Sequence, residues 1–280
     1  MMERPVKKVV QGKNAVDGAG VNLVRVLGNS TVEDFDPFLM LDSFDSTNPA
    51  DYVQGFPMHP HRGIETITYL ASGKIIHTDS LGNSGVIEDG GTQWMTAGSG
   101  ILHEEMPQPV QRMLGLQVWL NLPQTEKLTE PKYFDIPRED VVVVEKEDYT
   151  VRIVSGEFEG REGVKPHHIQ AWVFDVRLNP GAEIKIPTKP EETVFIFLLE
   201  GDAEIVGDHY QEKSAILFGA GDHIKIRAKD RGESRFMFFQ AAPLGEPVAW
   251  GGPIVMNTRA ELQLAFDELR AGTFIKHKNS

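Results

Sequence analysis

The chain of 280 residues contains no cysteine. That absence removes disulfides, thiolate-bound metals, iron–sulfur clusters and cysteine nucleophiles together. Any metal here has to be held by histidine and carboxylate, and a reducing compartment suits the composition. Positive charge is also scarce. Lys and Arg number 28 against 41 Asp and Glu, a formal net charge of −13, so the electrostatic footprint of a direct nucleic-acid binder is missing. A protein partner is left open. No run approaches the ~20 apolar residues of a membrane helix. The opening stretch, MMERPVKKVVQG, lacks the apolar core and small-residue cleavage site of a secretion signal. These features read as a soluble monomer of the cytoplasm, or of the nucleus if the source is a eukaryote, with no membrane partner.

Helical pattern is sparse as well. The one good case lies near the end, where Thr258 is the N-cap and Glu261 its capping-box partner. Leu262, Ala265, Phe266 and Leu269 share a face, and Gly272 is the stop. It predicts a helix that braces the fold. What is abundant is the β-type run: Val21–Leu27, Glu65–Leu70, Lys74–Thr78, Gln117–Leu120, Val141–Val144, Val151–Val154, Ala171–Leu178, Val194–Leu199, Ala215–Phe218, His223–Ile226 and Phe236–Gln240. Many are rich in Val, Ile, Phe and Thr, and most have Gly, Pro, Asn or Asp nearby, the pattern of an all-β sandwich or barrel.

The halves resemble each other. Glu65–Gly73 and Thr193–Gly201 are both β-type runs ending in a turn glycine, and Gly98-Ser-Gly100 has a counterpart in Gly219-Ala-Gly221. Two matches in the same order point to a tandem repeat. The expected division is 1–135 and 136–280, within the acidic, Pro-containing stretch Tyr133–Asp148.

The chemistry concentrates in two short segments. In His59-Pro60-His61 the histidines share a face of an extended strand, with Cα atoms roughly 6.6–6.8 Å apart. His103-Glu104-Glu105 repeats the spacing with a histidine and a carboxylate. Two such strands facing one another offer three imidazoles and one carboxylate, a set suited to Fe(II), Mn(II), Co(II), Ni(II), Cu(II) or Zn(II). Glu65 has the parity of His61 and is a second candidate carboxylate. His77 and Asp79 form a further alternating pair, read as a solvated strand face. His167, His168, His209, His223 and His277 are read as structural or surface residues.

The stretches His59-Pro-His-Arg-Gly-Ile-Glu-Thr-Ile-Thr-Tyr-Leu and Gln93-Trp-Met-Thr-Ala-Gly-Ser-Gly-Ile-Leu-His-Glu-Glu-Met-Pro strongly resemble the pirin family of the cupin superfamily. The resemblance extends to Asp36–Asp42, Gly115–Leu122 and Gly252–Thr258, and so to nearly the whole chain. It implies two tandem cupin barrels with a C-terminal helix, one metal in the first barrel only, and His59, His61, His103 and Glu105 as its ligands. Iron, as Fe(II), is the metal this family implies. Two functions follow from the resemblance: oxygenation of a flavonol such as quercetin with O₂, or regulation of a protein partner through the metal's redox or occupancy state.

For the oxygenase, Glu105 is the candidate catalytic base and Glu65 supports the ligands without touching the metal. Trp94, Met95 and Met106 are candidates for the apolar pocket wall, with core packing the alternative. Aligning the repeat puts Pro187, Lys189, Thr193 and Ile224 at the places of His59, His61, Glu65 and His103, so the second barrel is expected to hold no metal.

Overall fold

All eleven β-type runs become strands, one of them, Val21–Leu27, with the bounds read from sequence. The computed structural model describes residues 2–277. The helix Arg259–Ala271 also forms where its caps place it. The Thr258 hydroxyl accepts from the Glu261 N–H, Glu261 returns a bond to the Thr258 backbone, and Gly272 ends the helix at φ +69. Among the described residues no helix is long and apolar enough to cross a membrane.

The strands form two compact units, each pairing a seven-stranded sheet with a four-stranded one. The first barrel takes residues 14–32, 38–138 and 244 onward. Its larger sheet runs in the order Lys132–Ile136, Thr92–Thr96, Ile64–Ser72, Met113–Asn121, Phe38–Ser46, Val21–Leu27, Lys13–Asp17. Its smaller sheet runs Phe56–His61, Ile101–Pro107, Ile75–Asp79, Ser84–Ile87. The strand Phe38–Ser46 gave no sequence signal: seven of its residues in succession are buried, so alternation is lost.

The second barrel takes the N-terminal residues to Lys13, Glu33–Pro37 and Glu139–Pro243. Its core is continuous and apolar, from Ile184 and Ile186 through Phe174, Ile196, Ile216 and Phe238, with the Phe174 and Phe238 rings stacked at 5.0 Å. The expected linear division at 135/136 therefore needs correcting at both ends. Val6–Gln11 is an edge strand of the second barrel, paired antiparallel with Ser214–Phe218. The residues from Leu244 onward, helix included, belong to the first.

That returning segment is fastened beside the His59–His61 strand. Arg62, almost fully buried, pairs with Glu268 at 2.7 Å, donates to the carbonyls of Ser99 (2.7 Å) and Phe274 (2.9 Å), and lies 4.1 Å from the Phe274 ring centroid. Gly63, at φ +77, lets the chain cross from the smaller sheet to the larger. A Cβ there would stand 2.0 Å from the Val255 carbonyl oxygen. The buried Lys127 ammonium then donates to the carbonyls of Gly63 (2.8 Å) and Val255 (2.9 Å) and to the Asn121 side chain. Burial draws its pKa down to about 7.

Candidate metal centre

The two strands that carry the histidines are neighbours in the smaller sheet of the first barrel. His103 stands directly across from His59, and Ile101 from His61. Residues opposite one another share a face, and on Ile101–Pro107 every second residue from Ile101 is buried. The three imidazoles therefore converge on the barrel interior. Their centroids lie 4.3 Å (His59–His103), 4.8 Å (His59–His61) and 5.0 Å (His61–His103) apart, and one ring nitrogen of each falls within 4.8 Å of the others.

Hydrogen bonds decide which nitrogens those are. His59 Nδ1 donates to the Pro57 carbonyl and His61 Nδ1 to the Pro253 carbonyl, both at 3.0 Å. A carbonyl only accepts, so each Nδ1 carries the proton and each Nε2 keeps its lone pair. These Nε2 atoms approach one another to 3.1 Å. His103 Nε2 is buried without a hydrogen-bond partner. Burial, reinforced by His59, holds the His61 pKa down to about 3. Burial, with His61, His59 and His77 adding to it, holds His103 well below the usual imidazole range. Three converging imidazoles, one of them with an orphaned buried nitrogen, fit a divalent cation.

Glu105 shares the inward face but stands outside this cluster. Its Oε1 accepts from the Thr68 hydroxyl at 3.0 Å and its Oε2 from Gln117 Nε2 at 2.7 Å. The Gln117 carbonyl in turn accepts from the Trp119 indole N–H at 3.2 Å, which fixes the orientation of the amide. Three of the four predicted ligands are thus brought together, and the fourth is tied to the facing sheet. Neither Thr68 nor Gln117 carries a sequence signal; each is a polar residue within a β-type run.

Glu65 is placed differently from expectation. It is fully buried and accepts from the Thr96 hydroxyl at 2.7 Å. Thr68, three residues on in the same regular strand, points toward Glu105, so Glu65 points to the opposite face of the larger sheet. Parity counted from His61 fails because the chain changes sheets at Arg62–Gly63. His77 and Asp79, expected on a solvated face, are both buried on the inner face, with Asp79 opposite His103 and His77 opposite Glu105. In the second barrel His223 is buried too, beside Asp222 at 2.6 Å.

A cleft of about 560 Å³ opens onto His59 and His61. Phe44, Phe56, Trp119 and Trp250 supply its apolar wall. Trp119 meets the His61 ring edge-on at 4.9 Å and lies 5.8 Å from Trp250. Another part of the lining is polar: Arg25 donates to both Asp42 oxygens (2.9 and 2.7 Å) and to Asp17 (2.6 Å). One guanidinium between two carboxylates leaves that wall rich in acceptors. The expected wall residues are elsewhere. Trp94 is turned outward onto Phe134, Met95 is buried in the cluster that holds Trp119, and Met106 has the opposite parity to His103 and Glu105.

The corresponding strands of the second barrel, Glu183–Pro187 and His223–Ala228, pair Ile184 with Ile226 and Ile186 with Ile224. All four isoleucines are buried, while Pro187, expected at the place of His59, is exposed. The register differs from the sequence alignment, and the interior positions again carry no ligand.

Comparison with known proteins agrees with this architecture. The pirin domain matches residues 20–120 and the pirin C-terminal cupin domain matches residues 173–275. A pirin-like protein of Caulobacter vibrioides is 41% identical over 98% of this chain and 100% of its own length. Human pirin is 38% identical over 93% of this chain and 90% of its own. A quercetin 2,3-dioxygenase structure from Acinetobacter baumannii superposes with a TM-score of 0.89 at 28% identity, covering 97% of this chain and 98% of that one. With both domains matched in order along the chain, it belongs to the pirin family of two-domain cupin proteins.

Proposed function

We propose that this protein is a metal-dependent flavonol 2,3-dioxygenase whose metal is held by His59, His61 and His103, with Glu105 as fourth ligand. The observation that carries the proposal is the convergence of three imidazoles, two of which, His59 and His61, line an aromatic-walled cleft. A flat, uncharged aromatic fits between such walls, and its hydroxyls find acceptors at Asp17 and Asp42. The histidine triad would hold the ion, proposed as Fe(II), which when bound would supply Lewis acidity toward a substrate hydroxyl and redox chemistry with O₂.

The residues of the chain do the rest. Trp119 and Trp250 seat the ring system and exclude water from it. Glu105 accepts the hydroxyl proton. Gln117 and Thr68 both donate to the Glu105 carboxylate and keep it aimed inward.

O₂ uptake by iron-loaded protein over a panel of flavonols tests the reading. Uptake matched to flavonol loss, abolished in His103→Ala and in Glu105→Gln, is the expected result. A fully iron-loaded protein that consumes no O₂ with any flavonol would replace the enzyme with the regulatory alternative.

A further inference from the structure

We propose that His77, oriented by Asp79, is a positioning residue that keeps His103 in the tautomer able to bind a cation; the inference rests on the metal-centre reading above. His77 lies on Ile75–Asp79, the neighbour of the His103 strand on the side away from His59. Its Nδ1 is 3.4 Å from His103 Nδ1. Two imidazoles that meet through these atoms hold one proton between them, so one donates and the other accepts.

The direction matters to the centre. If His77 donates, His103 carries its own proton on Nε2, the atom it turns toward the cluster, and has no lone pair to offer there. If His103 donates, Nε2 is free to bind. Asp79 selects between them. Its Oδ1 accepts from the N–H groups of Leu81 (2.9 Å) and Asn83 (3.0 Å), and its Oδ2 from Asn83 Nδ2 (2.8 Å), so the carboxylate is fixed. Oδ2 stands 3.6 Å from His77 Nε2, longer than a good hydrogen bond, and acts through its charge on that side of the ring. A carboxylate there favours the proton on Nε2. His77 Nδ1 is then an acceptor, and His103 must donate to it. Stacking on Tyr133, at 4.6 Å and 26°, fixes the plane of the His77 ring.

A purely structural reading, in which His77 only fills space, predicts a different outcome. His77→Phe keeps an aromatic ring against Tyr133 and removes both ring nitrogens, the acceptor for His103 and the N–H that faces Asp79. Measured on the full chain by chelator competition with Ni(II), His77→Phe is expected to weaken binding about 10- to 100-fold. The apo melting temperature stays near that of wild type, and His77→Gln, whose amide oxygen can accept, recovers part of the affinity.

Asp79→Asn keeps an acceptor for the turn but presents an N–H to His77, which reverses the preferred direction, so it too weakens Ni(II) binding. In Co(II)-loaded wild type the His103 Nδ1 proton appears as a slowly exchanging, hyperfine-shifted resonance, and in His77→Phe it exchanges away. Wild-type affinity and a retained resonance in His77→Phe would overturn the inference alone. So would equal losses in the Phe and Gln variants that track a lowered apo melting temperature. Wild-type protein that binds no Ni(II) would overturn the metal-centre reading itself.

Discussion

In the first barrel, Phe56–His61 and Ile101–Pro107 turn His59, His61 and His103 inward. In the second, the corresponding Glu183–Pro187 and His223–Ala228 turn four isoleucines inward. The ladders are alike, and the interiors are opposite solutions to burial. Imidazoles taken out of water need a partner for every nitrogen, and the first barrel finds one for the outer nitrogens in Pro57, Pro253 and His77. The isoleucines need only close packing, which the stacked Phe174 and Phe238 complete. Preorganised polar groups and a dry, continuous core are hard to combine in one barrel, and a tandem pair separates the two demands.

The comparison is most sharply broken by removing a ligand. His103→Ala is expected to take Ni(II) from one ion per chain to none by metal analysis after dialysis, while circular dichroism shows both barrels folded. Two ions per wild-type chain would refute the assignment of the second barrel as ligand-free. Next in size is Phe238→Ala in the second barrel, expected to cost about 3–5 kcal/mol in denaturant unfolding. Ni(II) affinity should be unaltered, and an equal effect on binding would show that the two functions are not separated.

The acid response gives a third handle. His61 has a folded pKa of about 3, well below its unfolded value. Between these values the unfolded chain binds the extra proton, so apo-protein stability falls as pH drops below the ordinary histidine range and levels off near pH 3. The slope approaches about 1.4 kcal/mol per pH unit for this one proton. Urea titrations of wild type and His61→Leu at pH 6 and pH 4 measure it, and identical slopes would count against the assignment. The smallest effect belongs to the returning helix. Thr258→Ala removes its cap and should cost about 1 kcal/mol in thermal unfolding, with cleft and metal affinity unchanged.

Much of this was legible in sequence where the physics is local. The helix was marked at both ends by Thr258, Glu261 and Gly272, because capping uses neighbouring residues. The triad was legible because alternation along a strand is a two-residue property. What was not legible depends on contacts far apart in the chain. Parity groups His77 with Asp79 but does not say which face of the strand is inside. Glu65 was misplaced because counting across Gly63 runs from one sheet into another. Gln117 acquires its role only when its sheet faces the strand of Glu105.

The exchange of terminal segments sets an order of events for the chain as it is made. Val6–Gln11 emerges early, yet its partner strand begins at Ser214, which bonds to Gln11 across 203 residues. The His61 ring waits for an acceptor 192 residues away, the Pro253 carbonyl. Contacts of such separation form late, after most of the loop entropy has been spent. A nascent chain holding all three histidines is therefore still an incomplete chelator. On the proposed metal reading, capture of the ion would report on finished folding.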